Sequence, residues 1–181
     1  MKEKIISTLE KWASWKNVLI FFALQMLFNL VILPGASGSS QHDLPVLDLQ
    51  FFYTPEKVYE ILGAYTPAMR QASAYGRLTA DMVYPLVYGF MISFLLVLTF
   101  RRAFDNKPAT DAAILLPWGG VLGDYLENIA LSILYFQYPT QLIFVAWAAT
   151  IFTMLKWTLI GISFALVLIG GVKLVFKRLK T

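Results

Sequence analysis

Residues 142–172 run for 31 positions with a single charged side chain, Lys156. A helix needs about 20 apolar residues to cross the roughly 30 Å hydrocarbon core of a bilayer, so this run is long enough to span with tilt or to project beyond the membrane. Backbone polar groups find no water in hydrocarbon and must pair within the segment, so a run of this kind has to be helical. The whole chain agrees with that reading. It is 58% hydrophobic and only 14% charged, against a soluble norm of about 45–50% and 25%. Three further spans are expected over residues 17–33, 79–101 and 112–135, with an outer connection over 34–66. The sequence therefore predicts one all-α domain over residues 1–181: an integral membrane bundle of four transmembrane helices.

The formal charge of +4 raises nucleic acid as a partner, but the placement of the charge excludes it. Lys2, Lys4, Lys11 and Lys16 precede the first run, Arg101, Arg102 and Lys107 follow the second, and Lys173, Lys177, Arg178 and Lys180 follow the last. The connection around residues 137–141 has no basic residue. This is the positive-inside distribution, which puts both termini in the cytoplasm. The first run is read as a retained anchor, because the leader before it is long and carries Glu3 and Glu10, unlike a signal peptide. With no cysteine, disulfides, thiolate metal sites and thiol nucleophiles are excluded.

Local signals fill in the rest. Pro34 to Ser40 is rich in glycine and serine and reads as a helix stop followed by a flexible loop. Gln25 and Asn29, four apart on one helical face, suit hydrogen bonding across a helix interface. Thr54-Pro55 and Thr66-Pro67 each offer a capping hydroxyl followed by proline at the first helical position. Val58, Ile61, Leu62 and Tyr65 then recur at helical spacing, predicting a short amphipathic helix on the outer side, either a lid over the bundle's mouth or simple packing against it. From Pro67 the pattern can continue as one helix through Phe104, with Arg70, Arg77, Asp81, Tyr84 and Tyr88 along one face. Pro85 removes the backbone bond to the Asp81 carbonyl, leaving a spare acceptor beside a carboxylate. Gly119 and Gly123 form a GxxxG pair, so a homo-oligomer through that face is an expected arrangement. Trp118, Trp147 and Trp157 suit interface anchors or pocket walls.

Asp124, Glu127 and Lys156 are the costly residues. Together they cost on the order of 8–10 kcal/mol at helix centres before pairing. Counting about 1.5 Å per residue places Asp124 roughly 12 Å, Glu127 roughly 8 Å and Lys156 roughly 18 Å below the outer boundary. Side chains lean toward the N-terminus of their own helix, so Lys156 and Asp124 lean toward one another in an antiparallel pair. Asp81 should lie near Glu127, with Arg77 one turn above it. The candidate ligand-binding set is therefore Arg77, Asp81, Tyr84, Tyr88, Asp124, Glu127, Asn128, Lys156 and Trp157, and any catalytic role falls to Asp81, Asp124, Glu127 or Lys156. No metal is expected, since the spans lack histidine and cysteine and Lys156 would compete with a cation. His42 reads as a solvated loop residue, Ser132 and Ser163 lack a histidine for a triad, and no cofactor motif appears.

The segments Thr54-Pro55-Glu56, Tyr75-Gly76-Arg77, Tyr84-Pro85, Tyr88-Gly89, Leu116-Pro117, Asp124-Tyr125-Leu126-Glu127-Asn128, Tyr138-Pro139 and Lys156-Trp157, spread over residues 52–170, carry a resemblance. The pattern resembles a family of small four-span bacterial membrane proteins of uncharacterised activity. That resemblance implies a four-helix membrane fold and no activity. A second analogy, at the level of architecture only, is to the sterol-isomerase and sigma-2-receptor superfamily, whose four-span members hold acidic residues in a lipid-facing cavity. The leading functional expectation is an outward-facing polar cavity that binds a lipid-like or amphipathic small molecule. The alternatives are an acid–base enzyme on an apolar substrate, a carrier, and a structural subunit whose charges pair helices.

Overall fold

The computed structural model describes residues 2–36 and 46–180; the serine-rich part of the expected flexible loop and His42 lie outside them. Apart from turns, all regular structure among the described residues is helical. Three helical stretches are long and apolar enough to cross a membrane: Trp15–Ile32, Ala80–Arg101 and Ile143–Leu179. A fourth helix has the length, at 31 residues, but carries Asp111, Asp124 and Glu127.

The chain opens with a helix that the basic leader did not suggest. Helix α1, Lys2–Trp12, buries Ile6 and Leu9 against the bundle, and its Glu10 pairs with Arg101 at 2.7 Å. Arg101 in turn holds Asp111 at 2.8 Å. The Ser14 hydroxyl then accepts from the Asn17 amide to start α2, Trp15–Leu27.

Pro34 does not stop this helix as expected. Having no N–H and crowding the carbonyl four residues back, it is accommodated by a wider turn over Phe28–Ile32, in which the Leu33 amide reaches the Phe28 carbonyl, and helix resumes as α3, Leu33–Ala36.

Both threonine caps form. Thr54 accepts from the Lys57 amide and opens α4, Pro55–Ala64; Thr66 accepts from Met69 and opens α5, Pro67–Leu78. Val58, Ile61 and Leu62 are buried against Leu131, Leu134, Ala146 and Ala149, so α4 is packed onto the ends of the next two long helices. Of the two roles foreseen for it, packing is the one its contacts support.

The single helix expected from Pro67 to Phe104 is broken at Thr79, whose φ of −123° and ψ of −88° leave the helical region. Its hydroxyl donates to the Tyr75 carbonyl at 2.6 Å and to Gly76, competing with the backbone ladder. Helix α5 is instead held against the helix Lys107–Gln137 by Ser132, which donates to the Ala74 carbonyl. The polar stripe is thereby split, and Arg70 turns away to cap α4 through the Leu62 and Tyr65 carbonyls.

Helix α6, Ala80–Leu96, continues through a wide turn at Val97–Arg101. Helices α7, Lys107–Gln137, and α8, Ile143–Leu179, pack along one another. Glycines set that approach: a Cβ at Gly123 would stand 3.2 Å from the Lys156 amide nitrogen, and one at Gly119 would stand 2.9 Å from Leu159. The GxxxG face is thus covered by α8 of the same chain, and pairing two copies through it would require displacing α8. Trp118 is neither anchor nor pocket wall. It packs edge-on against Phe90 and donates to Ser93, which itself donates to the Ile114 carbonyl.

Candidate functional site

At the end of the bundle where α6 begins and α7 finishes, the charged residues of five segments meet. Lys156, on α8, is ion-paired with Glu127 and lies 3.7 Å from Asp124, both on α7. The expected convergence of Lys156 and Asp124 is present, with Glu127 the nearer partner. Glu127 is fully buried and accepts from Thr153 at 2.7 Å; the Thr153 hydroxyl lies 2.8 Å from that of Tyr53. Asp124 accepts from the Tyr88 hydroxyl at 3.0 Å and from Asn128 at 3.2 Å.

A second cationic centre stands beside the first. Arg77, at the end of α5, reaches Asp48 at 3.0 Å, Asn128 at 3.3 Å and Asp81 at 3.9 Å. Asp81 pairs with Arg77, the arginine foreseen one turn above it. Asn128 joins the two centres. Its amide nitrogen donates to Asp124 and to the backbone carbonyl of Asp81, and its oxygen accepts from Arg77. The Asp81 carbonyl is the acceptor that Pro85 was expected to release.

Asp48 is the residue that sequence reasoning missed. It sits in a short 3₁₀ turn, Leu47–Leu49, and its backbone carbonyl accepts from the Trp157 indole at 3.0 Å. Burial alone would push its carboxyl up, but Arg77 and Lys156 hold it at about 2, so it is an anion at neutral pH. One signal was available: a lone acid in the apolar stretch Leu47 to Phe52, which a surface loop would have no reason to make apolar. Thr153 was likewise readable, three residues before Lys156 and so on the same face of α8.

These groups form the floor of a cavity of about 210 Å³. It lies between the α2–α6 and α7–α8 pairs. Asp48, Asp81, Asp124, Lys156, Tyr84, Tyr88 and Trp157 line it, as do Gln25 of α2 and Asn29 of the wide turn that follows it, which the sequence suggested only as interface glue. Asn29 donates to the Tyr84 hydroxyl at 3.2 Å. The remaining walls are apolar: Leu33, Leu49, Ile92, Ile160 and Phe164. Arg77, Glu127 and Asn128 are not on the lining. They are buried behind it and fix the residues that are.

No protein-family model, curated protein or solved structure matches the chain. The site has to be read from its own chemistry. Among the described residues no group of histidine, cysteine and carboxylate side chains has the geometry to hold a metal ion. What the lining presents is fixed charge beside apolar walls. Such an arrangement orients a molecule with one polar end, and it places a carboxylate, Asp124, within hydrogen-bond reach of a tyrosine hydroxyl.

Proposed function

We propose that this protein is a four-span bacterial inner-membrane protein, both termini cytoplasmic, that binds a lipid-like or amphipathic small molecule in a polar cavity within the outer half of the bilayer. In this reading α2 with its continuation, α6, α7 and α8 are the four spans. Helix α7 crosses despite its acids because Lys156, Thr153, Tyr88 and Asn128 satisfy them, and intramembrane charges that face a bundle interior and pair there are the tolerated kind. The observation that carries the proposal is the cavity itself. Its charged floor and apolar walls match a molecule whose two ends differ in polarity.

Position adds to this. Helix α2 packs on α6 while α8 packs on α7, and Leu33 and Phe164 line the space between those pairs. A ligand with a hydrocarbon tail can therefore enter sideways from the membrane. At about 210 Å³ the cavity is smaller than the roughly 300–1,000 Å³ that encloses a whole drug-sized molecule. It accommodates a headgroup and the first part of a chain, with the rest of the tail in lipid.

Native mass spectrometry of the purified protein is the test. The expected spectrum carries a co-purifying amphiphile, and its occupancy falls in Asp124→Asn. A spectrum without any bound amphiphile, together with an Asp124→Asn strain indistinguishable from its parent, overturns the proposal.

A further inference from the structure

Four carboxylates, Asp48, Asp81, Asp124 and Glu127, share this region with two cations, Arg77 and Lys156. Glu127 is fully buried and held by Lys156 and Thr153. The three aspartates line the cavity; of the cations among the described residues Lys156 is on the lining, engaged with Glu127 and Asp124, and Arg77 stands behind it, paired with Asp48 and Asp81. Four carboxylates against two cations leave a formal excess of two acids around an occupant of the cavity. Several of the lining's donors are already engaged. Tyr88 donates to Asp124, Asn29 to Tyr84 and Trp157 to the Asp48 carbonyl. Gln25 is on the same lining, and its buried Oε1 has no hydrogen-bond partner among the described residues.

An acceptor-rich floor in excess negative charge excludes one class of amphiphile and selects another. A carboxylate or phosphate headgroup would bring like charge into a site screened from water, where repulsion is strongest. A neutral alcohol would satisfy one acceptor and no charge. A protonated amine supplies both the charge and the N–H donors. The rings of Tyr84, Tyr88 and Trp157 line the cavity, and the Lys156 ammonium already lies 5.4 Å from the centre of the Trp157 ring, so the surroundings suit a cation.

Resting on the binding reading above, we infer that the ligand is a cationic amphiphile: a protonated alkylamine whose nitrogen sits among Asp48, Asp81 and Asp124, with its apolar chain leaving between α2 and α8. Hydrogen bonds to charged groups contribute about 1.5–3 kcal/mol, which is roughly tenfold or more in affinity.

The experiment uses the full chain in phosphatidylcholine nanodiscs at pH 7, titrated separately with dodecylamine, dodecanol and laurate, and read by thermal unfolding and tryptophan emission. Dodecylamine is expected to act at concentrations about tenfold or more below the other two. That preference should shrink in Asp81→Asn and in Gln25→Leu. The second variant lies on α2, outside the ion-pair network, and guards against misfolding of the first. Equal action of all three probes, tighter action of laurate, or a dodecylamine preference unchanged in both variants overturns the cationic assignment while leaving amphiphile binding in place. No response to any probe overturns both.

Discussion

The two ends of this bundle join α8 to its neighbours by opposite means. At the end containing Lys156, α6, α7 and α8 meet through charge and hydrogen bonds, with Asn128 bridging Asp124, Asp81 and Arg77. At the other end, α8 presses against the wide turn after α6: a Cβ on Gly170 would stand 2.5 Å from the Phe100 nitrogen, and Phe94, Leu96 and Ile114 are buried nearby in an apolar cluster. Close packing of this sort is complete, since it leaves no unmet valence. Polar joining is incomplete by nature, because each buried group demands a partner and the surplus acids at Asp48, Asp81 and Asp124 border open space. The difference explains why a cavity forms at the polar end.

Removing Lys156 should break the contrast most severely. Lys156→Met leaves Glu127 and Asp124 buried without their cation, and loss of one partner from a buried pair costs about 3–5 kcal/mol. Thermal unfolding in detergent should show a large drop, and adding Glu127→Gln should recover part of it, since a neutral amide no longer needs the lysine. A variant as stable as the parent would mean that the pair does not hold α7 to α8.

At the apolar end the expected loss is smaller and of another kind. Gly170→Ala forces backbone apart, because the nearest atoms belong to the main chain at Thr99 and Phe100 and no side chain can swing away. Overpacking of this sort costs about 1–3 kcal/mol. Unfolding should come earlier while amphiphile binding at the opposite end keeps its affinity. If binding collapses in parallel with stability, the two ends are not separable and the comparison fails.

How far the sequence already spoke follows the same division. The costly residues announced themselves: Asp124, Glu127 and Lys156 are conspicuous in apolar runs, and antiparallel geometry was enough to bring them together. Pro85 announced a free Asp81 carbonyl, though not that Asn128 would take it. The two threonine-proline caps were readable because capping is local. What the sequence concealed depended on tertiary position. Asp48 belongs to a connection whose path over α8 is set by the Trp157 bond and the Arg77 pair. Thr79 interrupts a pattern that is helical on both sides, since α5 is held across α7 while α6 turns along it. Gly170 looked like any membrane glycine until a neighbouring backbone was seen against it.

The mildest perturbation concerns the border of the charged end. The Asp48 carboxyl is held at about 2 in the folded protein, against an ordinary value of 3.8. Because the folded value is the lower one, the contribution of this group is fully present above about pH 4 and is lost as pH falls through about 2. The Asp48 carbonyl accepts the Trp157 indole, so the emission difference between the parent and Trp157→Phe reports on this segment. That difference should stay constant from pH 7 to about pH 4 and change only below it, while Asp48→Asn removes the transition. A change centred above pH 5 would show that Arg77 does not hold the carboxylate. The Leu47–Leu49 segment would then be a loose flap over the cavity instead of part of its wall.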